Sequence, residues 1–382
     1  MRKFLASGLV VAAVALALAL VAPPAQSQQP FRLPFPYIFT GPGAEWGDRV
    51  WREGITLGVE VVNKKGGIKG RPLEFSKIDT RFPETAPWVT EFRRLAGDAS
   101  IPIIFGVGPT KSQLAIADLI DEMKIPVFNP SSAGSWPLPG FGKYTFRYQP
   151  IADTAVPVML AKIKEKLPFK TAALVYANDD EAMVNNAKVM RQALVKADVK
   201  IALEQTYRSK ETNFTSQVSA IKGANVDAIV MSSQAYDAGT LALQIRERGM
   251  TQPIVGDVSM LADDFWKLSR GKGGLTIAYS IYNPLDPRPI VQEWVKLWQT
   301  KMAKPAGFPD SFVTTYFDAV QVLAHILNSA KDFSRDGIRD SFLQVKNLET
   351  ISGKVSWEQP GDVHRTEIVL VQWKDGKLVP WP

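Results

Sequence analysis

Residues 101–134 read IPIIFGVGPTKSQLAIADLIDEMKIPVFNPSSAG. The apolar run Ile101–Phe105 has the character of a strand buried on both faces. Gly106 and Gly108 break it, and Thr110 and Ser112 are placed to cap a helix whose apolar side carries Leu114, Ala117, Leu119, Ile120 and Met123. Pro126 opens a second short strand, Val127–Phe128, and Ser131 and Ser132 follow it. This is a βαβ unit, and both of its turns fall at the carboxyl ends of parallel strands, where open α/β sheets bind ligands. Backbone N–H groups at residues 110–112 point out of a helix start and favour an anion, and the hydroxyls of Thr110, Ser131 and Ser132 add donors. The stretch therefore points to capture of a small carboxylate, with no bond made or broken.

Two nucleotide-binding motifs are approached and missed. A phosphate-binding P-loop needs glycine before the Lys-Ser/Thr pair, and Thr110 stands there. Gly106-Val107-Gly108 lacks the third glycine of the dinucleotide fingerprint.

Working outward, the N-terminus reads as a secretory signal over residues 1–27. Arg2 and Lys3 precede an apolar run from Leu9 to Ala22, followed by the small-residue stretch Ala25-Gln26-Ser27. The 382-residue chain contains no cysteine, so the exported protein has no disulfide framework and its core must hold the fold alone. A lipid-modified cysteine is excluded too, and a free bacterial protein of this kind is expected in a Gram-negative periplasm. The formal charge of +7 falls to about +5 once the signal's two basic residues are removed. Basic residues are scattered, with no arginine-rich run or aromatic-interleaved stripe, so no nucleic-acid partner is expected.

Before the central unit, a strand near Phe35–Phe39 leads to the turn Thr40-Gly41-Pro42-Gly43 and Trp46. Helices are expected near residues 48–64 and 87–98, with a strand at Leu73–Asp79 between them. After a strand at Tyr144–Tyr148 the alternation of strand and helix restarts and runs to Leu275–Ser280. A proline cluster at 284, 287 and 289, three helices and small antiparallel strands complete the chain. Two βα runs of this kind imply two doubly wound α/β units.

The ordered set Thr40-Gly41-Pro42-Gly43-Ala44-Glu45-Trp46-Gly47, Asn63 to Arg71, Phe146-Arg147, Asn213-Phe214-Thr215, Val226-Asp227-Ala228-Ile229, Ile351-Ser352-Gly353-Lys354 and Gln372-Trp373-Lys374-Asp375-Gly376 resembles the leucine/isoleucine/valine-type periplasmic solute-binding proteins of ABC importers. The resemblance spans nearly all of the mature chain. It implies the type I fold: two doubly wound α/β lobes joined by three hinge strands, one of residues 28–147 plus 284–349, the other of 148–283 plus 350–382. It also implies a small-carboxylate ligand in the cleft, permease and ATPase subunits as partners, a monomer, and no cofactor, metal or catalysis. Carried over residue by residue, first-lobe ligand positions fall on Thr110, Ser131, Ser132 and Ala133, with aromatic walls at Trp46 and Phe312. Second-lobe positions depart from the family pattern. Asn178-Asp179-Asp180-Glu181 stands where a tyrosine is usual, and Gln234 stands at another tyrosine position. The acid that pairs with a ligand's ammonium matches Val258, with Asp257 one residue early.

Two ligand classes follow: an aliphatic amino acid, reached by Asp257, Asp180 or Glu181, or an ammonium-free acid such as an aromatic carboxylate. An enzyme reading has little to stand on. The two histidines, His325 and His364, have no cysteine or carboxylate cluster at metal-ligand spacing, and no Gly-x-Ser-x-Gly elbow occurs. A receptor that senses its ligand without transporting it is the alternative within the fold.

Overall fold

The computed structural model describes residues 29–41, 43–132, 134, 142–305, 307–365 and 368–382. The expected signal segment and Ala133 lie outside the described residues. The chain begins with β1 (Phe31–Tyr37), helix α1 (Ala44–Arg49), a π-helical stretch Val50–Ile55, α2 (Thr56–Lys64), β2 (Leu73–Asp79) and α3 (Ala86–Gly97). Next come β3 (Ile104–Phe105), α4 (Thr110–Leu114), α5 (Ala117–Glu122), β4 (Val127–Asn129) and β5 (Thr145–Arg147). The second run comprises α6 (Ala152–Lys166), β6 (Thr171–Ala177), α7 (Glu181–Lys196), β7 (Lys200–Tyr207), α8 (Thr215–Ala224), β8 (Ala228–Ser232), α9 (Ala235–Glu247), β9 (Ile254–Gly256), a 3₁₀ turn Val258–Leu261, α10 (Asp263–Leu268) and β10 (Thr276–Ser280). The chain then continues through α11 (Pro289–Lys301), α12 (Ser311–Ser329) and α13 (Arg335–Leu343). Strands β11 (Leu348–Thr350), β12 (Gly353–Ser356), β13 (Gly361–Asp362), β14 (His364–Arg365), β15 (Val369–Lys374) and β16 (Lys377–Pro380) complete it.

Two main layers of strands have the same winding, and β11, β12 and β14 form a small antiparallel sheet of their own. In the first layer the parallel pair β2-β1 lies beside the parallel run β3-β4-β5-β13. The Val107 N–H, donating to Pro36 O at 2.7 Å, ties the β3 end to β1. This approach requires glycine at 106: its φ is +126°, and an added Cβ would lie 2.7 Å from Pro36 O. In the second sheet the parallel order is β7-β6-β8-β9-β10, and the antiparallel strands β15 and β16 extend its edge. The strand order thus reverses between β1 and β3 in one sheet and between β6 and β8 in the other. These are the places where doubly wound sheets open a crevice at their strand ends. The last residues divide between the sheets, Gly361–Asp362 joining the first and Val369–Pro380 the second.

The central unit differs from its sequence reading in two ways. Only Ile104–Phe105 of the 101–105 run pairs in the sheet. Pro102 lacks the N–H that a ladder residue donates. The helix expected from Thr110 to Met123 is two short pieces. The Trp88 indole donates to Ser112 O at 3.0 Å, taking the carbonyl that Ile116 N–H would use, and Ile116 N turns to Gln113 O at 3.2 Å. The break follows there, with Ile116 at φ −117°. Pro109, not Thr110 or Ser112, occupies the cap position of α4. A five-residue helix has little macrodipole, so anion capture at this turn falls to local donors.

Helix α12 is buried over most of its surface and ties distant segments together. Its Asp318 carboxylate, 1 % exposed, accepts from the Tyr148 hydroxyl (2.7 Å), Ile351 N (3.1 Å), Ser352 N (3.2 Å) and the Ser352 hydroxyl (2.9 Å). Tyr148 follows β5, and residues 351–352 join β11 to β12, so one side chain ties these two segments together. Asp318→Ala leaves these donors without an acceptor and is expected to cost about 3 kcal/mol or more, read from denaturant unfolding.

Candidate functional site

A cavity lies at the facing strand ends of the two sheets, lined by Trp46, Thr110, Ser131, Asp180, Asp257 and Phe312 among others. Corresponding strand ends build its two walls. After β1, β3 and β4 come Trp46, Thr110 and Ser131, and after β6, β8 and β9 come Asp180, Gln234 and Asp257. A second chamber shares Trp46, Pro109, Gln234, Ser259 and Phe312 with the first and adds Ile38, Phe82, Tyr236, Ala262 and Asp264. The first has a mixed lining that carries most of the charged and hydrogen-bonding groups, Thr110, Lys111, Ser131, Asp180, Asn186 and Asp257 among them, and the second is mostly apolar. Each holds about 60 Å³. At roughly 10–15 Å³ per water-sized group, the two together take roughly ten heavy atoms, the size of one small metabolite.

Trp46 reaches this wall because α1 begins at Ala44, earlier than the expected Asp48, off a left-handed Gly43. Gly47 lets that helix lie against the strand end, for a Cβ there would fall 1.6 Å from Ile38 O. The indole packs edge-on to Phe312, the second residue of α12, with ring centroids 5.1 Å apart. Its Nε1 is buried with no hydrogen-bond partner among the described residues. An orphaned buried donor in a cavity wall favours a ligand that accepts.

On the first wall stand the hydroxyls of Thr110 and Ser131, with Lys111 beside them. The Ser131 hydroxyl accepts from Tyr316 at 2.8 Å, while Ser131 N is already committed to Asn129 Oδ1 at 3.1 Å. Thr110 Oγ1 accepts from Gly134 N at 3.0 Å and from the Ser132 hydroxyl at 3.3 Å. Ser132 itself is fully buried behind Thr110, not on the cavity wall. Main-chain amides were expected to do more of this work, but the Ser131 amide is spent inside the loop.

The opposite wall is acidic. Asp257 is 1 % exposed, its Oδ1 accepting from Ser259 N at 2.9 Å and its Oδ2 from Asn186 at 3.2 Å. Burial pushes its carboxyl up to about 6, against hydrogen bonds that pull it down. Both Asp257 and Val258 face the cavity. The one-residue offset is harmless because β9 ends at Gly256 and the 3₁₀ turn begins at Val258, so strand alternation no longer sorts side chains. Asp180 caps α7 through Ala182 N at 3.0 Å and accepts from Gln234 Nε2 at 3.2 Å. Glu181 is exposed and does not line the cavity.

Sequence reasoning passed over Asn186, Met183 and Ser259 on this wall, and Ile38, Phe82 and Ala262 in the apolar chamber. Their approach depends on α7 and the 3₁₀ turn packing beneath the strand ends, which no local signal carries. Among the described residues no group of three or more His, Asp or Glu side chains is placed to hold a metal, and no helix is long and apolar enough to cross a membrane. Ion pairs also cross between the walls: Arg49 of α1 reaches Asp263 of α10, and Lys267 meets Glu45 at 2.8 Å.

Residues 30–377 match the family model described as periplasmic binding protein. The chain belongs to that family. A Leu/Ile/Val-binding protein homologue of Brucella melitensis is 22% identical over 342 residues, covering 89% of this chain and 90% of its own. Among solved structures, the branched-chain amino acid transporter binding protein LivJ of Streptococcus pneumoniae, in complex with isoleucine, superposes with a TM-score of 0.81 at 20% identity over 92% of this chain and 98% of its own. A type 1 periplasmic binding protein of Bordetella pertussis superposes with a TM-score of 0.81 at 18% identity, over 92% of this chain and all (100%) of its own. The periplasmic binding protein described here thus has the type I fold, and its cavity lies between the two lobes of that fold.

Proposed function

We propose that this binding protein is the receptor of an ABC importer, taking up an aliphatic α-amino acid in the cleft and delivering it to permease and ATPase subunits. The carrying observation is the polarity of the polar chamber. Hydroxyl donors and Lys111 stand on one wall and the carboxylates of Asp180 and Asp257 on the other, which matches a zwitterion's carboxylate and ammonium. The adjoining apolar chamber receives the side chain. An ammonium-free acid fits less well, because its closure would leave Asp257 buried without a cation. The ligands named for the relatives, leucine, isoleucine and valine, support the same choice. We take the protein to be a periplasmic monomer with no catalytic role, released from its signal near residue 27, and we place the lobe boundaries near residues 147, 284 and 350. Ligand bound to both lobes favours the closed state by its differential affinity for it. Calorimetric titration of the mature protein with the amino acids and with benzoate-type acids tests the proposal. Binding of leucine, isoleucine or valine supports it. Binding of benzoate with no amino acid bound overturns it.

A further inference from the structure

The carboxylate-facing hydroxyls are neutral, yet their protons have a direction. Arg147, on β5, is 0 % exposed and lies behind the 131–134 loop. Its Nε donates to Asp362 Oδ1 at 2.6 Å, and its Nη1 donates to Gly134 O at 2.7 Å and to Ser132 Oγ at 3.3 Å. A guanidinium has donors only. Ser132 Oγ must therefore accept from Arg147, and its own proton goes to Thr110 Oγ1. Thr110 Oγ1 also receives the Gly134 N–H. With both neighbours donating to it, the Thr110 hydroxyl has its single proton left for the cavity it lines. The Ser131 hydroxyl accepts from Tyr316, which leaves it one lone pair and its own proton.

We infer that Arg147 is a positioning residue for ligand capture. It acts through a one-way hydrogen-bond relay, Arg147 to Ser132 to Thr110, that turns the Thr110 hydroxyl into a dedicated donor toward the ligand's carboxylate. This rests on the proposed receptor function. Asp362, contributed by β13, anchors the other side of the guanidinium and keeps its fork aligned with the loop. The relay places a directed neutral donor beside Lys111, which also lines the cavity, so carboxylate recognition does not rest on that cation alone. It also discriminates against a carboxamide, whose NH₂ would meet a hydroxyl unable to accept.

Affinities of leucine and leucinamide, measured by calorimetry on the mature wild type and on R147M, S132A, T110V and the paired variants, test the relay. R147M is expected to weaken leucine tenfold or more and leucinamide far less, so the leucine preference shrinks. S132A should give a similar, smaller shift, and R147M should add little in the S132A background. Loss of both ligands by the same factor, or equal additive losses in the double variant, overturns the relay. Should R147M fail to fold, an unchanged leucine-to-leucinamide ratio in S132A overturns it alone. If the wild type takes benzoate instead of leucine, the amino-acid reading falls, while the relay is tested on benzoate against benzamide. Binding of neither carboxylate overturns both.

Discussion

Asp257→Asn is expected to weaken leucine binding by a hundredfold or more while making the ligand-free protein more stable. Asp257 is the buried acid opposite the hydroxyl wall, and a ligand's ammonium placed between the walls exchanges its hydration for that carboxylate. Removing one partner of such a buried pair costs about 3–5 kcal/mol. Asparagine keeps an oxygen for Ser259 N but turns its NH₂ toward Asn186, whose amide must rotate to accept from it. Stability moves the other way. Burial raises the folded carboxyl to about 6, above its value of 3.8 in a solvated chain. The stabilising contribution of its neutral form is therefore present below 3.8 and is lost as pH climbs through about 6, leaving a cost of roughly 3 kcal/mol at neutral pH that asparagine does not carry. Binding has the opposite pH dependence, because the ammonium needs the ionised acid. Affinity for leucine should be flat above about pH 7 and drop about tenfold per unit below about pH 6 in the wild type, and should not drop in the asparagine variant. Calorimetry across pH, with thermal melts of both forms, reads all three. Leucine affinity retained in the variant would remove Asp257 from the site.

Trp46→Ala carries the next largest effect, a loss of affinity of about 30-fold or more. The indole borders both chambers and packs edge-on to Phe312, so truncation opens the polar and apolar compartments into one and frees the Phe312 ring. Trp46→Phe separates the two contributions of this side chain. It keeps an aromatic wall but deletes the Nε1 donor that has no partner of its own, and it should cost less, about tenfold. Equal losses in both variants would assign the whole effect to the donor. An unchanged affinity in the alanine variant would place Trp46 outside the ligand's reach.

Much of the fold was legible because strand-length segments alternate with helical periods, as at Leu73–Asp79, an alternating strand whose bounds the structure reproduces. The candidate cavity was legible in part, since Trp46, Thr110, Ser131, Asp180, Gln234 and Asp257, all after strand ends, line it together with Phe312 of α12. What escaped is set by distant partners. The break in the Thr110 helix is caused by Trp88, 24 residues earlier in sequence from the carbonyl it captures. The direction of the Thr110 proton is fixed by an arginine that, in sequence, looks like one more basic strand residue. Glu181 and Asp180 are neighbours with the same chemistry, and only the cap geometry of α7 turns one inward and leaves the other in solvent.

The strand Gly361–Asp362 has a consequence for biosynthesis. In order of synthesis this edge of the first sheet, and the acid that anchors Arg147, come after every parallel strand of the second. The second sheet therefore has all of its parallel strands to hand before the first can be completed.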